Sequence, residues 1–171
     1  GILFLVVLSL LPSVSGGERP SVEIVQMIPG VSLGFRVEPL GMLFGLVASG
    51  LWIVTTVYGI GYMRGHHEEN QTRFFVFFAI AISAALGVAF ASNVLTLFIF
   101  YEVLTLSTYP LVTHHRSEDA KKAGRVYLGI LVGTSVSFLL LAVIWTYSLT
   151  GTLEFTPGGI LEGKATDGMI M

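Results

Sequence analysis

FIFYEVLTLSTY, residues 98–109, is an apolar stretch with one carboxylate, Glu102, near its centre. The role of this residue depends on the solvent around the stretch, because a carboxylate is inexpensive in water and costly in lipid. The composition of the whole chain indicates which solvent applies.

The composition is that of a membrane protein. Of the 171 residues, 53% are hydrophobic and only 12% are charged, whereas about a quarter of the residues in a soluble domain are charged. The mean hydropathy is +0.80. A net charge of −2 shows no basic excess of the kind that favours nucleic acid. The absence of cysteine excludes disulfides, thiolate metal sites, iron–sulfur ligation and cysteine nucleophiles.

The apolar runs predict an all-α fold, a polytopic bundle of transmembrane helices in a single membrane domain, residues 1–171. A spanning helix needs about 20 mostly apolar residues. The sequence predicts an incomplete helix at 1–11, an external loop at 12–38, spans at 40–62, 74–91, 94–112 and 126–148, and an external tail at 149–171. Because the first run starts at Gly1 and breaks at Pro12 without a preceding basic segment, we interpret it as the end of a helix whose beginning is missing. A signal-peptide core is the alternative. We therefore expect the chain to be incomplete.

Lysine and arginine counts predict the orientation, since cytoplasmic loops carry the excess. The loops at 63–73 and 113–125 hold six of the nine basic residues, and the opposite side holds three. The six are Arg64, Arg73, Arg116, Lys121, Lys122 and Arg125; the three are Arg19, Arg36 and Lys164. We expect the two loops to be cytoplasmic and the early loop and the tail to face outward.

Small residues predict where the helices pack closely. The second span is rich in alanine and glycine, and two glycine pairs, Gly41/Gly45 and Gly129/Gly133, have the spacing that lets helix backbones approach. Lipid tails gain nothing from such surfaces, so we expect neighbouring helices at each of them.

Glu102 lies near the middle of the third span, where an acidic residue costs about 2.5 to 3.5 kcal/mol. It should therefore face protein or water. Thr105 and Tyr109 follow at i+3 and i+7, which predicts a polar stripe on one helix face. No lysine or arginine of the chain lies at this depth. Burial favours the neutral acid and a nearby cation favours the carboxylate, so two interpretations stay open: a proton relay, or a permanently neutral structural glutamate.

Two histidine pairs, His66-His67 and His114-His115, lie in the two basic loops. Adjacent histidines point in different directions and nothing in the sequence fixes the loops together, so the spacing argues against a metal site. Proton collection at a channel mouth and ordinary interfacial solvation remain the alternatives. Lys121, Lys122 and Arg125 suit interface anchors that set topology, with tuning of the Glu102 charge as the alternative role.

Three stretches resemble one family. They are the run from Phe35 to Met63 (FRVEPLGMLFG…YGIGYM), the hairpin from Arg73 to Val112, and EDAKKAGRVYL, residues 118–128. Together they are similar to the antiporter-like membrane subunits shared by respiratory complex I, Mrp-type cation/proton antiporters and membrane-bound hydrogenases. The resemblance implies that Glu102 is the key acidic residue of the first half-channel.

The resemblance also implies what the chain leaves out. Such subunits have fourteen helices, and this chain would run from the end of helix two through helix six. It would lack the lysine of helix seven that pairs with the glutamate, the central lysine or histidine of helix eight, and the second half-channel. We would then expect partners: the remainder of the fold and other membrane subunits of a multi-subunit complex.

The function expected from this resemblance is translocation of H⁺ or Na⁺ across a bacterial or archaeal-type inner membrane. We expect no cofactor and no catalytic site in this chain, with any redox chemistry of an NADH:quinone oxidoreductase-like or hydrogenase complex in other subunits. A pure antiporter complex is equally compatible. The alternatives are a structural membrane-arm scaffold without its own ion path, and a stand-alone small membrane protein.

Overall fold

The computed structural model describes residues 1–115 and 117–163. The elements before the long helices are α1 (Ile2–Ser9), α2 (Leu11–Ser15), β1 (Ser21–Ile28) and β2 (Val31–Arg36). The long helices are α3 (Pro39–Gly65), α4 (Gln71–Ala89) and α5 (Val94–Val112). The last helix consists of α6 (Glu118–Thr134), a π-helical segment (Ser135–Leu140) and α7 (Leu141–Thr150).

Four helices are long and apolar enough to cross a membrane, which confirms the predicted four-span bundle and makes the chain a multi-pass membrane protein. The last of them extends over 118–150. It begins well before its apolar part because Ser117 caps it, accepting a hydrogen bond from the amide of Ala120 at 3.1 Å. Two parts of the predicted regions, Arg116 and the tail from residue 164 to 171, lie outside the described residues.

The segment predicted as an external loop contains a β-hairpin that was not predicted from the sequence. Its antiparallel strands β1 and β2 pair Ser21 with Arg36 and Ile28 with Val31. The turn uses Pro29 and Gly30, and Gly30 has φ +77°, a conformation that glycine adopts without steric cost. The hairpin is an addition to the predicted helical bundle.

The hairpin contacts the turn between α4 and α5 at one end of the bundle. A core of Val31, Val143 and Leu153 joins the hairpin to α7 and to the chain after it. In the turn, Asn93 is fully buried. Its side chain accepts a hydrogen bond from the Thr96 amide at 2.9 Å and donates one to the Ser32 carbonyl at 2.7 Å. The N-terminus of α5 is therefore fixed by the hairpin.

One of the two predicted glycine pairs makes close contacts and the other does not. A Cβ on Gly41 would lie 2.5 Å from the Ala89 carbonyl oxygen, and one on Gly45 would lie 2.7 Å from the Phe90 ring. The α3–α4 contact thus needs both glycines. Gly129 and Gly133 face open space within the described residues, so the close packing predicted there is not made by this part of the chain.

Candidate functional site

Glu102 lies in the middle of α5, and its side chain is partly buried. Its Oε1 atom is buried and has no hydrogen-bond partner among the described residues. A carboxyl oxygen is a strong acceptor, and leaving one buried and unpaired costs free energy. The structure therefore places an acidic group with one buried, unpaired oxygen in the third candidate span.

Thr105 and Tyr109, which were predicted to share the face of Glu102, pack against other parts of this chain. Thr105 is 6% exposed. The Tyr109 ring lies against α6, since a Cβ on Gly124 would be 3.1 Å from its Cε2 atom. Within the part of the chain that the structure describes, no hydrogen bond joins Glu102 to either residue. The polar groups of the stripe therefore leave the carboxyl unsatisfied.

The basic residues at the start of α6 do not pair with Glu102. Lys121 donates to Glu118 at 2.7 Å, and Lys122 and Arg125 are exposed. Among residues 1–115 and 117–163, Glu102 forms no ion pair. The contact of Gly124 with Tyr109 places this end of α6 about two helical turns, roughly 10 Å, from Glu102 along α5. A cation beside Glu102 would have to come from elsewhere.

A second polar cluster joins the loops at 63–73 and 113–125, at the end of the bundle opposite the β-hairpin. The Arg73 guanidinium donates to the His114 carbonyl oxygen at 2.9 Å. Glu68 Oε2 lies 3.9 Å from both His114 Nε2 and His115 Nδ1. The assumption that nothing fixes these loops together is therefore wrong. Glu68 and the role of Arg73 were not predicted from the sequence, although the antiparallel α4–α5 hairpin already brings Arg73 and the end of α5 to one level.

His114 is more enclosed than Glu68 and His115. Burial lowers the pKa of His114 below its ordinary value of 6.5, and the nearby Arg73 charge lowers this pKa further. The Glu68 carboxylate and the backbone of Glu69 oppose both effects. His114 Nδ1 and Arg73 Nε are buried without hydrogen-bond partners in the described chain. His114 is therefore held mostly neutral at pH 7.

Two cavities meet at the cluster. An apolar cavity of about 430 Å³ lies between α3, the first half of α4 and the end of α5. Its aromatic lining is Trp52, Tyr58, Tyr62, Phe74, Phe75 and Phe78. A polar cavity of about 270 Å³ is lined by His67, Glu69 and Asn70. Glu68, His114 and His115 line both cavities. In the described residues, no group of three or more histidine or acidic side chains is placed to hold a metal ion.

Two family models match consecutive parts of the chain. Residues 28–75 match the model for the N-terminus of chain 5 of NADH-ubiquinone oxidoreductase (complex I). Residues 91–163 match the model for the transmembrane region of NADH:quinone oxidoreductase and Mrp antiporters. The second match includes Glu102 and the histidine pair at the end of α5.

The curated relatives include both antiporter subunits and NAD(P)H-quinone oxidoreductase subunits. Antiporter subunit mnhA2 of Staphylococcus saprophyticus is 26% identical over 147 residues, 85% of this chain and 18% of that protein. Chloroplastic NAD(P)H-quinone oxidoreductase subunit 5 of Anthoceros angustus is 26% identical over 73% of this chain and 17% of its own length. The Na(+)/H(+) antiporter subunit A1 of Staphylococcus aureus is 26% identical over 72% of this chain and 15% of that protein. The chain thus spans less than a fifth of the length of these relatives.

The fold also matches a solved structure, the membrane-bound sulfane sulfur reductase, an archaeal respiratory membrane complex. The TM-score is 0.71 at 20% identity, and the match covers 89% of this chain and 23% of the other. The family models, the relatives and this fold agree with one another. The chain is therefore an antiporter-like membrane subunit, similar to those of NADH:quinone oxidoreductase and Mrp antiporters.

Proposed function

We propose that this chain is the part of an ion-translocating antiporter-like subunit that supplies a mid-membrane carboxyl, Glu102, to the path of H⁺ or Na⁺. The observation that carries the proposal is the buried Glu102 Oε1 without a hydrogen-bond partner in the described chain. An acidic residue at a helix centre costs about 2.5 to 3.5 kcal/mol, and such residues commonly mark ion pathways. The relatives named as Na(+)/H(+) antiporter subunits support the same function.

The carboxyl suits this role because it has two states of different charge. As a carboxylate it accepts a proton or offers oxygen ligands to Na⁺; as an acid it is neutral and donates an O–H. Thr105 and Tyr109 are proposed to supply hydroxyl groups along the same face of α5. What moves beside Glu102 then determines whether it holds or releases its ion.

The cation that would pair with Glu102 is proposed to lie outside this chain. The family resemblance assigns it to a lysine on a broken seventh helix of a fourteen-helix subunit, and no basic residue described here takes that place. Lys121, Lys122 and Arg125 act as interface anchors, too far along the helix to pair directly with Glu102. We propose that the rest of the fold and other membrane subunits complete the path.

The proposed orientation places the cluster end of the bundle in the cytoplasm of a bacterial or archaeal-type cell, beneath its inner membrane. The six-to-three distribution of lysine and arginine supports it. The hydrogen bond from Arg73 to His114 supports placing the loops at 63–73 and 113–125 on one side. The β-hairpin at the opposite end then faces outward.

Exchange of Glu102 for glutamine in the assembled complex tests the function. Glutamine keeps the size of the side chain and loses the exchangeable acid proton, so assembly should survive and ion flux should stop. Parental flux in an assembled Glu102→Gln complex would favour the scaffold interpretation instead.

A further inference from the structure

Glu68, His114 and His115 separate the polar cavity at the loop end from the apolar cavity between the helices, since all three line both. A proton that passes from the polar cavity to the apolar cavity at this junction therefore passes these three side chains. Thr55, Tyr58 and Tyr62 contribute hydroxyl groups to the lining of the apolar cavity.

Solvent exposure decreases from His115 through Glu68 to His114. The side chain of His115 is 75% exposed, that of Glu68 is 24% exposed and that of His114 is 11% exposed. Glu68 Oε2 lies midway, 3.9 Å from His115 Nδ1 and 3.9 Å from His114 Nε2. On the far side of the His114 ring, Nδ1 is buried and has no partner in the described chain.

We propose that His115, Glu68 and His114 form a proton-transfer chain that takes protons from water at the loop end and delivers them to the apolar cavity between α3, α4 and α5. This inference rests on the proposed function, because it supplies the entry side of that ion path. The ligand is H⁺ rather than Na⁺, since imidazole nitrogens are poor ligands for hard cations and titrate near neutral pH.

The transfer conserves protons at each step. His115 takes a proton from water at Nε2 and, as the imidazolium, gives its Nδ1 proton to the Glu68 carboxylate at Oε2. The acid formed passes that proton to Nε2 of the neutral His114 tautomer that carries hydrogen on Nδ1. The His114 imidazolium then releases its Nδ1 proton to a water molecule in the cavity, and a tautomer exchange through water returns the hydrogen to Nδ1 for the next cycle. The gaps of 3.9 Å exceed the reach of about 2.6 to 3.2 Å for direct transfer, so each step needs a rotamer change or one bridging water.

Arg73 is a positioning residue for the proposed proton-transfer chain. Its hydrogen bond to the His114 carbonyl holds the end of α5 against α4 at 2.9 Å. Burial of the ring and then the positive charge of Arg73 lower the pKa of His114, while the Glu68 carboxylate raises it. A histidine kept neutral passes a proton on instead of retaining it. The other ionisable groups near the His114 ring are His115 and Glu69. Tyr58 and Tyr62 of α3 line the apolar cavity together with His114.

Proton flux in vesicles that contain the assembled complex tests the proposal. The variants are Glu68→Gln and His114→Gln, and the matched control is His66→Gln. His66 lies in the same loop, lines neither cavity, and has its Nδ1 atom 3.0 Å from the Tyr62 carbonyl oxygen. Because a positioned acid or base contributes roughly a hundredfold or more to proton transfer, we expect flux to fall at least about tenfold in both variants and to stay at the parental rate in the control.

A histidine titration by NMR in the assembled complex gives a second readout that a purely structural role would not change. Glu68→Gln removes the carboxylate that raises the pKa of His114, so this pKa should fall further. Parental flux in assembled Glu68→Gln and His114→Gln complexes, or an unchanged His114 titration in the former, overturns the proposal.

The Glu102→Gln complex, measured in parallel, separates the two proposals. If it stops flux while the Glu68 and His114 variants run at the parental rate, the transfer chain is wrong and the proposed function stands. If it runs at the parental rate while those variants are slow, the role of Glu102 is wrong and the transfer chain stands.

Discussion

Asn93 and Glu154 lie 61 residues apart in sequence and are joined by a hydrogen bond of 3.3 Å from the asparagine amide to Glu154 Oε1. Arg36 pairs with the other oxygen of the same carboxylate at 3.3 Å. The start of α5 is thus bound both to the hairpin and to the segment after α7. Since α5 carries Glu102, this polar network fixes the helix that bears the carboxyl.

Replacement of Asn93 by alanine should destabilise the protein by about 1 to 3 kcal/mol. The change removes the N-cap of α5 and leaves the Ser32 carbonyl with only the longer hydrogen bond from Thr96 Oγ1, at 3.5 Å. The measurement is thermal unfolding in detergent. Gln26→Ala is the control, because Gln26 is exposed on β1. Equal melting temperatures for the Asn93 variant and the parent would show that the network adds no stability.

Gly87→Ala should destabilise the α4–α5 contact by about 1 to 3 kcal/mol, the usual range for overpacking. A Cβ at this position would overlap the Phe100 ring. Gly129→Ala is a matched control in another helix, since nothing lies within 4 Å of its Cβ position. The control should be neutral or slightly stabilising because alanine favours helix. Similar melting temperatures for the two purified variants would contradict the packing described here.

Stability should decrease as the pH falls through about 6.5. The pKa of His114 is lowered by burial and then by Arg73, so the unfolded chain binds a proton at this residue at a pH where the folded chain does not. The free energy of unfolding therefore falls below pH 6.5 and levels off below the pKa of the folded state.

Melting temperatures measured between about pH 7.5 and pH 5.5 check this linkage. His114→Gln should flatten the pH dependence, and His66→Gln should leave it as it is in the parent. A parental slope in the His114 variant would mean that other groups cause it.

Local patterns in the sequence predict the long helices, because an apolar run of sufficient length has few alternatives in a membrane chain. The hairpin was missed because its support is not local. The Gly34 amide donates to Thr96 Oγ1 at 3.2 Å across 62 residues. Only the β-branched residues Val22, Ile24 and Val25 and the Pro29-Gly30 turn signalled strands beforehand.

The sequence predicted only the part of the candidate site in which a residue is unusual for its surroundings. Glu102 is conspicuous because it is acidic in an apolar span. Glu68 is one of several polar residues in a polar loop, and its importance comes from its distances to two histidines more than forty residues away. The glycine pairs show the same limit: identical spacing predicts a small-residue face and does not say whether a helix lies against it.

The orientation is tested by single cysteines at His66 and Thr152 in a chain that has no native cysteine. An impermeant thiol reagent should label position 66 only from the cytoplasmic side and position 152 only from the outer side, as the positive-inside count predicts. Labelling of both positions from the same side would contradict the proposed topology.

The most direct measurement is H⁺ or Na⁺ flux through vesicles that contain the complex with glutamine at position 102. Three exchanges are compared: Glu102→Gln, Glu102→Ala and Glu102→Asp, each checked for assembly. Aspartate keeps the charge and shortens its reach by one methylene, so we predict partial flux for it. Glutamine and alanine lack an exchangeable carboxyl, so we predict loss of flux in complexes that assemble. An assembled glutamine variant that moves ions at the parental rate would contradict the account, because Glu102 would then have only a structural role.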